Sequence, residues 1–439
     1  MNDITAKIAD IIPLDRVIST DEVNQSLSIL SSKKILTALT PGVICHCVVY
    51  PHTLAELTTV IKLANENNWQ VLPCGSGTKL HWGGLVSETT IIISTLYLNR
   101  VIEQATEDLT VTVETGIKLT DLQSLLAKSG QFIAIDPAYS NYATIGGIIN
   151  TADTGSLRQR YGGVRDMLLG VSLLRSDGQV AKAGGRVVKN VAGYDLMKLY
   201  TGSYGTLGIL TQATFRVYPL PESSTTVILQ GDLDSLNQAK NTILTTALTP
   251  TALDVISAQL SNDINLGNNI TLIARFQTLP DSAKLQSEKV LNMGQELGLK
   301  GILYTGNDEL QLWEKLKYEH WAIARSARYA NAHSDSITCK IGILPNQSIK
   351  LCQQLTTGQG LIHSGKGNGT ISVNTIEDVN RLRKFCQTQG GFLSILEAPV
   401  NVKQKLDILG YNGNGLELMK KIKKQFDPKN MFSPNRLFS

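Results

Sequence analysis

The 439-residue chain reads as an α+β protein with two unlike regions, and two observations carry that reading. Just over half of its 37 glycines fall between Leu72 and Gly208. From 223 onward the hydrophobic periods spell β-α-β-β-α-β and then spell it again. The chain therefore divides into an N-terminal helical segment (1–40), a glycine-rich domain (41–222), an α+β domain (223–398) and a C-terminal segment (399–439) returning to the glycine-rich domain.

Composition narrows the function classes. Hydrophobic residues are 42% and charged residues 18% of the chain, ample for a core and unlike a disordered chain. A net charge of +4 gives no reason to invoke nucleic acid, and no nucleic-acid signature is present. No basic leader precedes an apolar run, and no run approaches a membrane span. The six cysteines, Cys45, Cys47, Cys74, Cys339, Cys352 and Cys386, form no disulfide framework, which points to a reducing, cytoplasmic setting. Cys45-His46-Cys47 lacks a second ligand pair, so no metal site is expected.

The elements follow in order. Ile4, Ile8, Ile11 and Ile12 make a helical stripe stopped by Pro13. Cys47-Val48-Val49-Tyr50 is a strand. Thr53 and Glu56 form a capping box, and Leu57, Val60, Ile61 and Ala64 the buried face of the helix it opens. Next comes "VLPCGSGTKLHWGG" (71–84), followed by a strand at Thr90–Ser94. The glycine loop thus joins strand to strand. A dinucleotide fingerprint needs a helix there, and Leu80 stands where its third glycine belongs. The Walker A pattern is absent too. Glycine here serves tight turns or close approach to a ligand. "DPAYSNYATIGGIINTADTG" (136–155) opens a helix at Thr144; "RYGGVRDMLLGVSLLRSDGQV" (160–180) is loop, strand, Asp177-Gly178 turn and strand; "GSYGTLGILTQATFRVYPLPE" (202–222) runs from turn to strand.

In the second region, strands are expected near 227–229, 253–259, 270–277 and 302–304, with helices at 233–247 and 280–297. The repeat places strands near 337–344, 360–367, 369–373 and 392–398, with helices near 346–357 and 375–389. A helix at 308–330 separates the two. Side by side they form one broad antiparallel sheet with helices on one face. A last amphipathic helix turns Leu416, Met419, Ile422 and Phe426 inward and leaves Lys420, Lys421, Lys423 and Lys424 as its wet side, a possible meeting face for an acidic partner or membrane headgroups.

These motifs resemble a known family. Residues 41–222 are similar to the FAD-binding domain of the vanillyl-alcohol oxidase / p-cresol methylhydroxylase (VAO/PCMH) flavoproteins. The resemblance rests on Pro73, Gly75, Ser76, Gly77 and Thr78; on Asp136, Pro137, Thr144, Ile145, Gly146 and Gly147; and on Gly202, Gly205, Thr206, Leu207, Gly208 and Ile209. It implies a two-subdomain FAD domain of the PCMH/VAO type plus an α+β cap with a broad antiparallel sheet. It implies FAD held by those residues together with Cys74, Lys79, Leu80, Asn150, Gly155, Ser156 and Tyr161. Over roughly 40–439, "NTADTGSLRQRYGGVRDMLLGV", "GGRVVKNVAGYDLMKLYTGSYGTLGIL" and "IKKQFDPKNMFSPNRLF" are similar to the E-type subunits of bacterial glycolate oxidase (glycolate dehydrogenase). That likeness implies an FAD-linked oxidoreductase subunit acting on small 2-hydroxy acids such as glycolate; the alternatives are a self-sufficient FAD-linked dehydrogenase of another 2-hydroxy acid such as D-lactate, and a non-catalytic flavin-carrying scaffold or electron-relay subunit. It also implies a D-type flavoprotein partner, an iron–sulfur subunit, and at most peripheral membrane contact.

Within this frame, some relatives bind flavin covalently through a loop histidine. Gly77 occupies that place, so non-covalent FAD is expected, with His81 the sole rival. Lys79 reads as a solvated neck of the loop and Cys74 as a packed residue. The metal-binding H-x-x-D-G-N-x-H pattern of D-type relatives is missing: Ile362–Asn368 holds one histidine and no acid, and His363 reads as a hydrogen-bonded strand residue. Trp313, Lys317, Tyr318 and Trp321 share a helix face read as packing on the flavin domain, with Arg325 and Arg328 further along. Glu397 ends the last cap strand. No catalytic base is legible.

Overall fold

The computed structural model describes residues 3–19, 32–186, 194–322, 336–411 and 413–437. The chain forms two compact units. One comprises Met1–Thr154, Gly163–Pro219 and Asn412–Ser439; the other comprises Gly155–Gly162 and Leu220–Tyr411.

In the first unit, β1 (Val17–Ser19), β2 (Cys47–Val49), β3 (Val71–Cys74) and β4 (Ile91–Ser94) make a sheet of order β1-β2-β4-β3. Strands β2, β4 and β3 run parallel. A parallel sheet is buried on both faces, which is why these strands are apolar without alternation. Ile91 and Ile93 face Leu57, Val60 and Ile61 of helix Leu54–Glu66 and the N-terminal Ile8 and Ile12. Ile92 joins Val48, Leu72 and Leu80 on the other side. The capping box is present: the Glu56 amide donates to Thr53 Oγ1 at 3.1 Å, and the Thr53 amide donates back to Glu56 Oε2 at 3.3 Å.

Five further strands of this unit and a short pair follow: β5 (Val101–Ala105), β6 (Thr110–Glu114), β7 (Gln131–Phe132), β8 (Leu168–Leu174), β9 (Val180–Gly184), β10 (Ile209–Arg216) and β11 (Tyr218–Pro219). Strands β5-β6-β10-β8-β9 form an antiparallel sheet, and β7 pairs with β11. The Asp177-Gly178 turn joins β8 to β9, with Gly178 at φ +75°. Short helices at Arg158–Tyr161 and Val164–Met167 replace the loop expected there.

The second unit carries the doubled pattern as β12 (Ser223–Gln230), β13 (Ala252–Ile256), β14 (Thr271–Thr278), β15 (Lys300–Thr305), β16 (Ile337–Gly342), β17 (Gln359–His363), β18 (Asn368–Val373) and β19 (Phe392–Glu397). They form one antiparallel sheet of order β15-β12-β14-β13-β17-β18-β16-β19. The halves join where Asp254 of β13 pairs with His363 of β17. Val227, Val255, Leu272, Cys339, Ile341 and Ile371 face a core shared with Leu236 and Ile243, Val290, and Val379 and Leu382 of the helices expected on that side.

Helices on one face alone is corrected. Helices Ala258–Asp263 and Gly306–Ala322 set Leu260, Leu312 and Leu316 against Ile228, Ile256 and Ile273 on the opposite face. Those isoleucines alternate with the first set, so both faces of this half-sheet are apolar. Trp313 likewise packs on its own unit's sheet, its Nε1 donating to Thr226 Oγ1 at 2.9 Å beneath the Arg275 guanidinium. Arg325 and Arg328 lie outside the described residues.

Candidate cofactor site

The loop after β3 is held from behind by its carbonyls. The Thr95 amide donates to Cys74 O at 2.9 Å and Ser94 Oγ to Gly75 O at 2.8 Å, both from the end of β4. The amide of Leu80 closes a turn on Gly77 O, and that of Trp82 on Lys79 O. The amides of Gly75, Ser76, Gly77, Thr78 and Lys79 donate to no described residue. With carbonyls occupied and five successive N–H groups unmatched, the loop presents positive backbone dipoles to a cleft, an arrangement suited to an anion.

Two glycines make that geometry possible. Gly77 has φ +77°, which side chains resist. A Cβ on Gly75 would lie 1.9 Å from Thr144 Oγ1, so the loop can reach the next element only as glycine. Thr144 caps helix Ile145–Thr151, accepting from the Gly147 amide at 3.3 Å. The Ile145 and Gly146 amides donate to Ile117 O and Thr115 O. This helix end is therefore satisfied internally, and the uncommitted donors belong to the loop.

A third segment closes the cleft. Asn150 Oδ1 accepts from Ser203 Oγ at 3.0 Å and from the Gly205 amide at 3.2 Å, pinning the 203–208 turn to the helix. Together these segments line one cleft. Of the residues singled out from the sequence, Pro73, Cys74, Gly75, Ser76, Gly77, Thr78, Lys79, Leu80, Thr144, Gly146, Gly147, Asn150, Gly205, Gly208 and Ile209 line it. Asp136, Pro137 and Ile145 do not line it, and Gly155, Ser156 and Tyr161 belong to the second unit. His81 does not line it either.

Lys79 departs from expectation. It is buried, with Nζ 2.5 Å from Asp153 Oδ2 and lying over the Trp82 ring. Burial pushes its pKa down and Asp153 pushes it back up. Lys79 is thus an internally matched charge, and the solvated-neck reading is corrected. Burial drives the Cys74 thiol up to about 12, so it packs as a neutral group.

Gly83-Gly84 also proves to serve the protein itself. The Gly84 amide donates to Arg436 O at 3.1 Å, and a Cβ there would meet that oxygen at 2.7 Å. The C-terminal tail is seated by a clamp. Buried Asp427 accepts from the amides of Met431 (3.0 Å) and Phe432 (2.7 Å). Lys423 donates to Thr206 O and Phe432 O, both at 2.8 Å, and to Asp427. Lys423 is therefore a tie in the fold, not part of a wet face, whereas Met419 points outward at 43% exposure. Val71 then pairs with the tail through Met431 O and the Ser433 amide, and Arg436 reaches the cleft wall.

Sequence reasoning missed Thr95, Thr151, Tyr204, Leu210 and Arg436, which also line the cleft. Tyr204 lies inside a quoted motif and was available. Arg436 lies over three hundred positions from the loop, and no local pattern couples the two.

The second unit has its own polar group. His363 Nδ1 is 2.8 Å from Asp254 Oδ1, as a strand hydrogen bond. His320 bonds Thr370 through Nε2. Burial and the nearby His363 push the His320 pKa down to about 3, which keeps that ring neutral. Asp254, His363, Asn368, Thr370 and Lys340 succeed one another across neighbouring strands on one face. Asp254 Oδ2, His320 Nδ1 and Asn368 Oδ1 are buried without hydrogen-bond partners among the described residues.

The comparisons with known proteins agree with this geometry. Residues 45–184 match the FAD binding domain family. The chain is 26% identical over 430 residues to glycolate oxidase subunit GlcD of Bacillus subtilis, covering 89% of this chain and 88% of that one. It is 25% identical over 426 residues to a mitochondrial D-lactate dehydrogenase [cytochrome] 1 of Saccharomyces cerevisiae, covering 89% and 72%. Among solved structures, p-cresol methylhydroxylase superposes with a TM-score of 0.72 at 15% identity, covering 99% of this chain and 96% of that one. The 4-ethylphenol oxidase of Gulosibacter chungangensis gives 0.76 at 14%, with the same coverage.

The fold is the one seen in the p-cresol methylhydroxylase and 4-ethylphenol oxidase structures, and the chain is an FAD-linked oxidoreductase. Residues 45–184 form an FAD binding domain, and FAD is its cofactor. The donor set fits: an anionic diphosphate meets amides that no described residue uses, in a cradle that a Cβ at Gly75 would fill.

Proposed function

We propose that this chain is a flavin subunit of a small 2-hydroxy-acid dehydrogenase, of the E type found in glycolate oxidase, with FAD bound non-covalently. The observation that carries it is the run of uncommitted amides from Gly75 to Lys79, closed against Thr144. FAD, when bound, accepts the hydride removed from the substrate carbon. The chain's own residues do the rest: the loop amides hold the diphosphate, and Thr144, Asn150 and Gly205 keep the loop, helix and turn in register. The second unit serves substrate or partner recognition. Electrons then pass to a D-type flavoprotein and an iron–sulfur subunit. The chain itself offers no cysteine cluster for such a centre.

A second reading is supported by the near full-length likeness to D-lactate dehydrogenases: a dehydrogenase active alone on D-lactate or another 2-hydroxy acid. Purified protein assayed with a dye acceptor separates the two. Turnover of glycolate that begins only when the D-type partner is added supports the subunit; turnover alone supports the second reading. Acid precipitation should release all yellow colour into the supernatant, and colour retained in the pellet refutes non-covalent binding.

A further inference from the structure

The cleft contains one charge that the fold does not match. Arg436 is 4% exposed, lines the cleft, and donates from Nη2 to Leu80 O. Its Nε and Nη1 are buried with no hydrogen-bond partner among the described residues, and no described carboxylate forms an ion pair with it. Its charged or titratable neighbours are Tyr204 and Cys74. Both are held neutral, because burial pushes each of their pKa values up to about 12. The other buried cation, Lys79, is already matched by Asp153. A buried guanidinium with two idle N–H donors is costly in the free protein. The fold nevertheless goes to some length to place it. The Asp427–Lys423 clamp, the pairing of the tail with Val71, and the Gly84 contact with Arg436 O all fix the backbone that carries it.

We propose that Arg436 is the counter-charge for the dinucleotide's diphosphate, delivered from the C-terminal tail to a loop whose own residues contribute only amides. This rests on the FAD reading. A planar guanidinium holds its Nε–H and Nη1–H donors in fixed, divergent directions, so it can meet separate phosphate oxygens in a defined orientation, which lysine cannot reproduce.

The test uses full-length apoprotein of wild type, Arg436→Met and Arg436→Lys, titrated with FAD by flavin fluorescence and with ADP by calorimetry. ADP supplies the diphosphate without the flavin ring. Arg436→Met should weaken both ligands at least thirtyfold, Arg436→Lys should fall between, and the melting temperature of the Arg436→Met apoprotein should equal or exceed that of wild type. FAD affinity within threefold of wild type in Arg436→Met overturns the proposal. So does loss of FAD affinity with ADP affinity unchanged, which would place the arginine on the flavin ring, and so does a wild type that binds FAD but no ADP. If Arg436→Met does not fold, Arg436→Lys decides alone, full affinity for both ligands counting against. A wild-type protein that takes up no FAD sinks the FAD reading itself.

Discussion

Both units contain polar networks that satisfy themselves, and the first adds a run of successive open amides around a cleft. In the second unit, Glu309, 1% exposed, accepts from Arg275 Nε at 2.7 Å, Arg275 Nη2 at 3.1 Å, Thr226 Oγ1 at 3.0 Å and Ser224 Oγ at 2.8 Å. Lys240 donates to Asn237 Oδ1, Pro345 O and Ser348 Oγ. Such networks satisfy themselves and hold a sheet together. In the first unit, the loop amides and Arg436 stay unmatched around the cleft. Unmatched donors carry a cost that a folded chain avoids unless something else satisfies them, so the contrast marks where a ligand belongs.

That contrast can be broken in several places. The largest effect is expected from Gly75→Ala, whose methyl would collide with Thr144. FAD affinity should fall about 100-fold, roughly 3 kcal/mol, while far-ultraviolet circular dichroism stays that of a folded protein. Affinity within tenfold of wild type would mean that the loop is not the cradle. Glu309→Ala should cost about 3 kcal/mol in urea unfolding, since it strands a partly buried Arg275, yet leave FAD affinity untouched. A linked loss of FAD would erase the division between a binding unit and a self-satisfied one.

Lys240 sharpens the comparison through pH. Burial lowers its pKa from 10.5 to about 8. Between those values the unfolded chain binds more protons than the folded one, so stability rises with pH across that window, and the penalty is full below pH 8. Lys240→Met should remove that rise, measured as the difference between the two proteins' unfolding free energies over the same range. The smallest effect belongs to Thr53→Ala, which deletes one capping bond and should cost about 1 kcal/mol without altering cofactor uptake.

Much of this was legible along the chain. Apolar runs around Val48, Leu72 and Ile92 announce strands, Thr53 and Glu56 announce the helix start, and the doubled pattern after 223 announces the broad sheet. The glycine loop was legible because its partner strands flank it directly. The second layer of helices over Ile228, Ile256 and Ile273 was not, because a short helix such as Ala258–Asp263 has too few residues to show a period.

What the sequence by itself determined is every feature whose cause lies within about ten residues: strand alternation, caps, turns, and a loop that only glycine can make. The tertiary structure alone decided the charges. Lys79 meets Asp153, Lys423 meets Thr206 and Phe432, and Arg436 arrives beside Leu80 and Tyr204. The physical reason is that periodicity records which side of an element faces apolar surroundings, whereas a buried charge is defined by whatever the rest of the fold brings to it.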